Sequence, residues 1–438
     1  MNTATSLKRL ALALAALILA VGGGITVMSL LISADAAREQ AKAEIRAATG
    51  LDPIFGGGST VSLFPFGAVT FEDVTLGHGP ETALTARRLT ANLRFFPLLL
   101  GRIETGEIRL EQPTIVINLD EPGRSNWARL LESLSRSQLA ADRTAPSFSA
   151  IRIEDGKVIV RDRTRDSAEQ FDHVALSLAW PSISTSFGAT GQFDWRGQTI
   201  DASLTLADFT AALAGKPSGL KLRVGGKPGK VAFEGSISTQ PTLKIAGTLA
   251  ADSPSLRTAL TWAGQKPLPG DGFERFALKA DANVVGGTIA LSGVNIELDK
   301  NRAEGVLAFA VDGRRTLQGT LAADSLDLRP YTSAIHFVST SNRSEWSDSE
   351  IALDGMSNFD VDLRLSAASV LLSNAKLGRT AIAANLRGGN LSMTIGESQA
   401  FGGTIKGKIT LANFLRGIDV KSELNFVDVD LDVCLNQL

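Results

Sequence analysis

Three rhythms divide the chain. An uncharged, largely apolar run extends from Leu10 to Ile32, a charged helix-favouring stretch follows from Ala34 to Thr49, and from Ser59 onward apolar and polar residues alternate almost to the end. At 1.5 Å per residue, a run of about 23 residues makes roughly 35 Å of helix, enough to cross a ~30 Å hydrocarbon core with some tilt. The first rhythm therefore predicts a single transmembrane helix over residues 10–32. A cleaved signal peptide competes with this reading, because Ala34-Asp35-Ala36 has a small-x-small form. The run is, however, well beyond the roughly 7 to 15 residues of a signal h-region, which favours a retained anchor. Lys8 and Arg9 precede the span, whereas Asp35, Arg38, Glu39, Lys42, Glu44 and Arg46 mix signs after it. The positive-inside bias then leaves residues 1–9 in the cytoplasm and the bulk of the chain across the membrane, which in a Gram-negative bacterium is the periplasm. Residues 34–49 are predicted to continue as a juxtamembrane helix, ended by Gly50 and Pro53.

The alternating rhythm predicts strands. Val61 and Leu63, Val69 and Phe71, and Val74 and Leu76 open it, and Phe71-Glu72-Asp73-Val74 breaks the period of two as a β-bulge does. Strands at Leu84 to Leu93, Arg102 to Leu110 and Thr114 to Leu119 follow, and then a helix through Trp127 and Leu134 capped by Ser125 or Asn126. Residues 51–134 thus read as an N-terminal α+β module, and the polar segment 135–149 as a linker. Residues 150–329 read as a central β-rich domain. Its one-sided apolar positions are Val158 and Val160, Leu204 and Leu206, Leu220, Leu222 and Val224, Leu243 and Ile245, Phe276 and Leu278, and Ile289 and Leu291, set between glycine-marked turns. Two short helices are expected within it, Asp208 to Gly215 and Ser253 to Gly264, the second with Ser253 or Ser255 as cap and Pro254 early in the helix. Residues 330–349 lapse into polar residues, a loop or boundary. Residues 350–438 resume as β repeats, with Asp428, Asp430 and Asp432 as the wet face of a last strand, and run to the end of the sequence with no closing turn, as at a chain end or truncation inside the architecture.

Helices are too few to cover so much sheet. Roughly twenty strands at ~4.8 Å make about 100 Å along the hydrogen-bonding direction, past the ~10 strands at which open sheets curl. The expected fold is mainly β with a few short helices: an N-terminal transmembrane helix and then a long curled antiparallel sheet forming a groove or taco-like trough. A strand of six or seven residues is ~20 Å long, a match for an acyl chain. The one-sided positions named above are the candidates to line such a groove.

Charge and chemistry narrow the choice. Forty-four basic and 46 acidic residues give a net charge of −2, leaving no basic field for nucleic acid. The single cysteine, Cys434, forms no internal disulfide. His78, His173 and His336 stand far apart with no second ligand at metal spacing. Gly225 to Lys230 resembles a phosphate loop, but its first glycine is mis-spaced and Val231 stands where Ser or Thr is required, so it reads as a hairpin turn. Asp428, Asp430 and Asp432 begin like a calcium loop, yet Val433 occupies the glycine position. No catalytic constellation, metal site or cofactor site is found, and a non-enzymatic protein is expected.

Several segments resemble the AsmA family of inner-membrane-anchored periplasmic proteins. They are the anchor, Phe64-Pro65-Phe66 leading into Val69 to Gly77, Phe96-Pro97-Leu98-Leu99-Leu100-Gly101, and Ile108 to Pro113. Gly123-Arg124-Ser125-Asn126-Trp127 resembles the family's Gly-Arg-x-Asn-Trp element. Ile153-Glu154-Asp155-Gly156, Phe401-Gly402-Gly403 with Gly407, and Leu424 to Leu431 are similar to later family segments. The resemblance implies a β-rich periplasmic body related to TamB and to the bridge-like lipid transfer proteins, carrying phospholipid along an apolar groove. The family usually continues beyond the segment like Val427 to Leu431, and this chain ends at Leu438. The expected partners are phospholipid or another acyl-chain lipid, the inner membrane, and outer-membrane assembly proteins. A second reading makes the chain an assembly scaffold whose strand edges pair with outer-membrane β-barrel precursors.

Overall fold

A computed structural model of the chain describes residues 34–62, 67–79, 82–93, 105–121, 124–130, 150–163, 166–179, 186–265, 271–310, 314–332, 359–372, 375–414 and 417–433. The predicted span over 10–32 lies outside these residues, as do the apolar turn 95–101 and the end of the helix expected to reach Leu134. Among the described residues no helix is long and apolar enough to cross a membrane. The protein is mainly β, and the chain divides into two compact units, Met1–Ala214 and Gly215–Leu438.

In the first unit, helix α1 (Ala34–Thr49) has the predicted bounds. It stops at Gly50, whose φ of 72° suits a residue without a Cβ and whose N–H donates to the Arg46 carbonyl. Among the described residues, eleven strands and one further helix belong with it: β1 (Pro53–Phe55), β2 (Ser59–Ser62), β3 (Ala68–Leu76), β4 (Leu84–Leu93), β5 (Thr105–Glu111), β6 (Thr114–Glu121), β7 (Arg124–Ser125), β8 (Ala150–Asp162), β9 (Ser167–Ala179), β10 (Phe187–Trp195), β11 (Gln198–Leu206) and α2 (Phe209–Leu213). β1 and β2 both pair with β3, and β5 and β6 both lie between β4 and β8, so each pair acts as one long strand with a kink.

A crease crosses these strands. Asp73, Gln112, Asp155 and His173 adopt left-handed φ of 47° to 51°, uncommon away from glycine. Each separates two residues that turn to the same side: Phe71 and Val74, Leu110 and Pro113, Ile153 and Gly156, Phe171 and Val174. The bulge read at Phe71 to Val74 is the first of this set. The crease brings Phe55, Phe71, Val74, Leu76, Leu110, Ile153 and Val174 into one buried cluster, with Phe55 and Phe71 stacked at 4.4 Å, and Ala41 and Ile45 of α1 cover it. Arg38 of α1 donates to the Phe55 carbonyl and lies 5.8 Å over its ring.

The second unit holds β12 (Ser218–Gly226), β13 (Gly229–Ser238), β14 (Lys244–Ser253), α3 (Leu256–Trp262), β15 (Phe276–Val285), β16 (Thr288–Leu298), β17 (Asn301–Ala310), β18 (Arg315–Asp327), α4 (Arg329–Thr332), β19 (Phe359–Leu372), β20 (Ala375–Leu377), β21 (Thr380–Arg387), β22 (Asn390–Ala400), β23 (Gly403–Phe414) and β24 (Gly417–Val427). Neighbouring strands pair in sequence order, with β19 bonding β21 directly and the short β20 lying against the end of β19. Ser255, not Ser253, caps α3 by accepting from the Thr258 N–H, so Pro254 precedes the helix instead of opening it. Ser253 ends β14, its hydroxyl donating to the Pro228 carbonyl at 2.7 Å.

Two further expectations are corrected. The strands are not all antiparallel: β5 and β6 run parallel to β8, and β18 runs parallel to β19. Parallel neighbours need a connection of a dozen or more residues, and the polar stretches read as linker (135–149) and boundary (330–349) fall within those two connections. The last strand also ends earlier than Val433. Asp428 has a φ of 53°, and the Asp430 carboxylate accepts the N–H groups of Asp432 and Val433, a local bond that competes with the ladder.

Candidate functional site

Residues directly opposite in a sheet share a face, so the register of the second unit shows which side chains stand in line. One line runs Ile237, Ile245, Val284, Ile289, Phe309, Leu317, and on through Val361, Leu386, Leu391, Leu411 and Val420. Eleven strands each contribute one residue to this row, and every one is apolar. The row one residue earlier in β13 runs Ser236, Ala246, Asn283, Ala290, Ala308, Gln318, and then Asp362, Asn385, Ser392, Thr410 and Lys421. It has no apolar residue larger than alanine. The two faces therefore differ over the whole set of strands, not merely strand by strand.

The apolar face is only partly shielded. Leu386 is buried at 1 % exposure, Val420 is 59 % exposed, and the rest of the row is half-buried. The same face also carries buried side chains, among them Leu220, Phe233, Ala282, Leu291 and Ala367, and small clusters gather around Phe401 and around Val370 beside α4. Among the described residues of this unit the helices, α3 and α4, span seven and four residues, too short to roof a dozen strands.

Glycines reveal which way the sheet bends. A Cβ placed on Gly235 would lie 2.1 Å from the Ala246 carbonyl oxygen, on Gly247 2.3 Å from that of Glu234, on Gly305 2.0 Å from that of Thr320, and on Gly319 2.5 Å from that of Val306. All four face the apolar side. On the polar side, Gly225 and Gly396 have their nearest neighbours at 3.4 Å and 3.8 Å. Adjacent backbones thus crowd together on the apolar side and stand apart on the polar side, so the sheet curves locally toward its apolar face.

Of the predicted positions, Leu220, Leu222, Val224, Ile245, Phe276, Leu278, Ile289 and Leu291 all fall on this one face. Leu243 sits just before β14, 40 % exposed, with its carbonyl accepting from Gly286. In the first unit, Val158 packs against the closed cluster under α1, and Val160 stands between Ile117 and Glu169. Leu204 and Leu206 oppose Ala189 and Phe187, and Phe187 stacks on Phe209 of α2 at 4.9 Å. Sequence reasoning missed Phe309, Leu317, Val361, Leu386, Leu391 and Leu411. Their strands alternate plainly enough, but alternation does not tell which face of one strand adjoins which face of the next.

Electrostatics on the polar face are those of a wet surface. Lys221 and Glu234, opposite each other on β12 and β13, form an ion pair at 2.7 Å, and the Lys221 ammonium holds the Glu234 carboxyl below its ordinary value. Gly225 to Lys230 closes the hairpin between these strands, as its composition suggested. His173 lies 3.1 Å from Asp194 and is 72 % exposed. Among the described residues no group of His, Cys, Asp or Glu is arranged to hold a metal ion.

A segment conspicuous in the sequence has a structural role. Asn126 donates from Nδ2 to the Val116 carbonyl and accepts the Asn118 N–H, and the Trp127 indole donates to the same Val116 oxygen at 3.0 Å. Gly-Arg-x-Asn-Trp therefore ties the chain after β7 back onto β6. No curated protein and no solved structure matches the chain. The sequence model of the AsmA family matches residues 4–263, which contain the crease, the Asn126–Trp127 tie and the first strands of the apolar row, and the chain belongs to the AsmA family.

Proposed function

We propose that this protein is a membrane-anchored, non-catalytic carrier of phospholipid or another acyl-chain lipid, a lipid-homeostasis factor supporting outer-membrane biogenesis. Residues 10–32 hold it in the inner membrane, the β units stand in the periplasm, and the second unit offers the apolar trough. The observation that carries the reading is the unbroken apolar row from Ile237 to Val420, half-buried, bent inward and, among the described residues, without a helical roof. Ten steps of ~4.8 Å give such a row about 48 Å of contour. An acyl chain lying on it saves ~0.8 kcal/mol for each CH₂ removed from water, while the head group stays hydrated at the strand ends. Passage along the row needs no bond to be made or broken, because each rung offers nearly the same apolar contact as the last. Family membership agrees with a role in lipid transport or outer-membrane biogenesis.

A photoreactive amino acid tests this directly. Placed at Phe309, on the row, it is expected to yield lipid adducts in cells; placed at Gln318, on the opposite face, it is not. Equal lipid labelling at the two positions, or none at Phe309, would sink the carrier reading.

A further inference from the structure

Among the described residues β24 is an edge strand of the second unit. It pairs with β23 over its full length with no shift of register, and among the described residues no strand pairs with its other side. Proteins usually blunt such an edge with proline, a bulge or a cover. β24 contains no proline and no bulge, and Val420, Leu424 and Phe426 are 59 %, 50 % and 49 % exposed.

We infer that β24 is the docking edge for a second copy of this chain, the two strands pairing antiparallel about a two-fold axis at Ser422. Ser422 is the midpoint of Gly417–Val427, so this register alone pairs the whole strand with itself. It sets Lys421 opposite Glu423 of the partner subunit, twice by symmetry, and Asp419 opposite Asn425 of the partner subunit. On the apolar face it sets Val420 against Leu424 of the partner subunit, so the row crosses into the second copy.

Neighbouring registers fail on charge or on contact. An axis at Lys421 puts that residue against itself and Asp419 against Glu423; an axis at Glu423 puts two carboxylates together. An axis at Val420 keeps Asp419 opposite Lys421 but leaves Leu424 and Phe426 beyond the start of the partner strand. An axis between residues joins the apolar face of one copy to the polar face of the other. Within the chain, Glu423 already has Lys408 opposite it on β23, and Lys421 lies 3.5 Å from Asp419. The dimer thus places Glu423 between two lysines, an alternation of sign that continues across the axis. This inference does not rest on the lipid reading, since the edge pairs whether or not the apolar face is filled.

Mass measurement of the full chain in detergent, across a concentration series, tests it. A dimer is expected. Lys421→Glu and Glu423→Lys should each weaken it by about tenfold or more, turning two attractive pairs per dimer repulsive. Mixing the two single variants should restore a heterodimer, and the double variant Lys421→Glu/Glu423→Lys should restore the homodimer. Ser422→Cys with Cys434→Ser should form a disulfide between copies, because opposed residues of antiparallel strands lie within reach of one. A chain that stays monomeric at every concentration, a dimer indifferent to both single swaps, or a Ser422→Cys adduct with a different protein would each overturn the inference.

Discussion

The curvature of the second unit rests on glycines whose missing Cβ atoms let two backbones meet, and Gly247→Ala puts that to a quantitative test. The new Cβ would stand 2.3 Å from the Glu234 oxygen and 2.5 Å from the Gly235 Cα, where side chains essentially never approach below 3.0 Å. The strands β13 and β14 must therefore part by about 0.7 Å at this point, and the contact is backbone, which cannot rotate aside. Overpacking of this kind costs roughly 1 to 3 kcal/mol. Replacing a glycine also stiffens the unfolded chain, which offsets about 0.4 to 1 kcal/mol. A net loss near 1 to 2 kcal/mol is expected. Gly396→Ala supplies the control: it faces the polar side, has 3.8 Å of room and keeps only the entropic gain, so it should be neutral or slightly stabilising. Thermal unfolding of the two variants, together with amide exchange in β13 and β14, reads the difference. If Gly247→Ala melts with Gly396→Ala and the amides of β13 remain as protected as in the wild type, the inward bend is not held by close backbone approach.

Other perturbations follow from the first unit. Asn126→Ala removes two half-buried hydrogen bonds to β6 and should cost roughly 1 to 3 kcal/mol, with faster amide exchange at Asn118 as the local signature. Glu169 accepts from Arg196 and from the Trp195 indole, which hold its carboxyl below the ordinary value of 4.5. A carboxyl lowered by folding contributes stability above its unfolded value and loses it as pH falls through the lowered folded value. The wild type should therefore out-melt Glu169→Gln at neutral pH and lose that lead under acid. The lead should be no more than about 1 kcal/mol, since the pair is over a third exposed.

Much of this protein is readable from alternation. Leu84 to Leu93 and Ala34 to Thr49 emerge with the bounds predicted from pattern and propensity. Leu220, Leu222 and Val224 share a side because a strand's period of two leaves no other choice. What alternation lacks is register. That Val284 meets Ile289, and Phe309 meets Leu317, depends on hairpin turns and on the bulges in β16, where Leu291 and Val294 both turn inward. The parallel joins at β8 and β19 were hidden for a related reason, since a long polar connection carries no signal of the direction in which the next strand returns. The crease in the first unit shows in the sequence only at Phe71 to Val74, because at Gln112 the residue type gives no hint of a left-handed backbone, and Asp155 and His173, of types that favour it, also occur in ordinary strands.

The one-residue-per-strand construction of the apolar row makes its reach a matter of counting. Gaining or losing a hairpin would lengthen or shorten the path by two rungs, roughly 10 Å, while every remaining rung kept its neighbours and its chemistry. Extent and selectivity are thereby uncoupled: evolution can tune how far the molecule reaches by duplication or deletion alone, without redesigning what it touches.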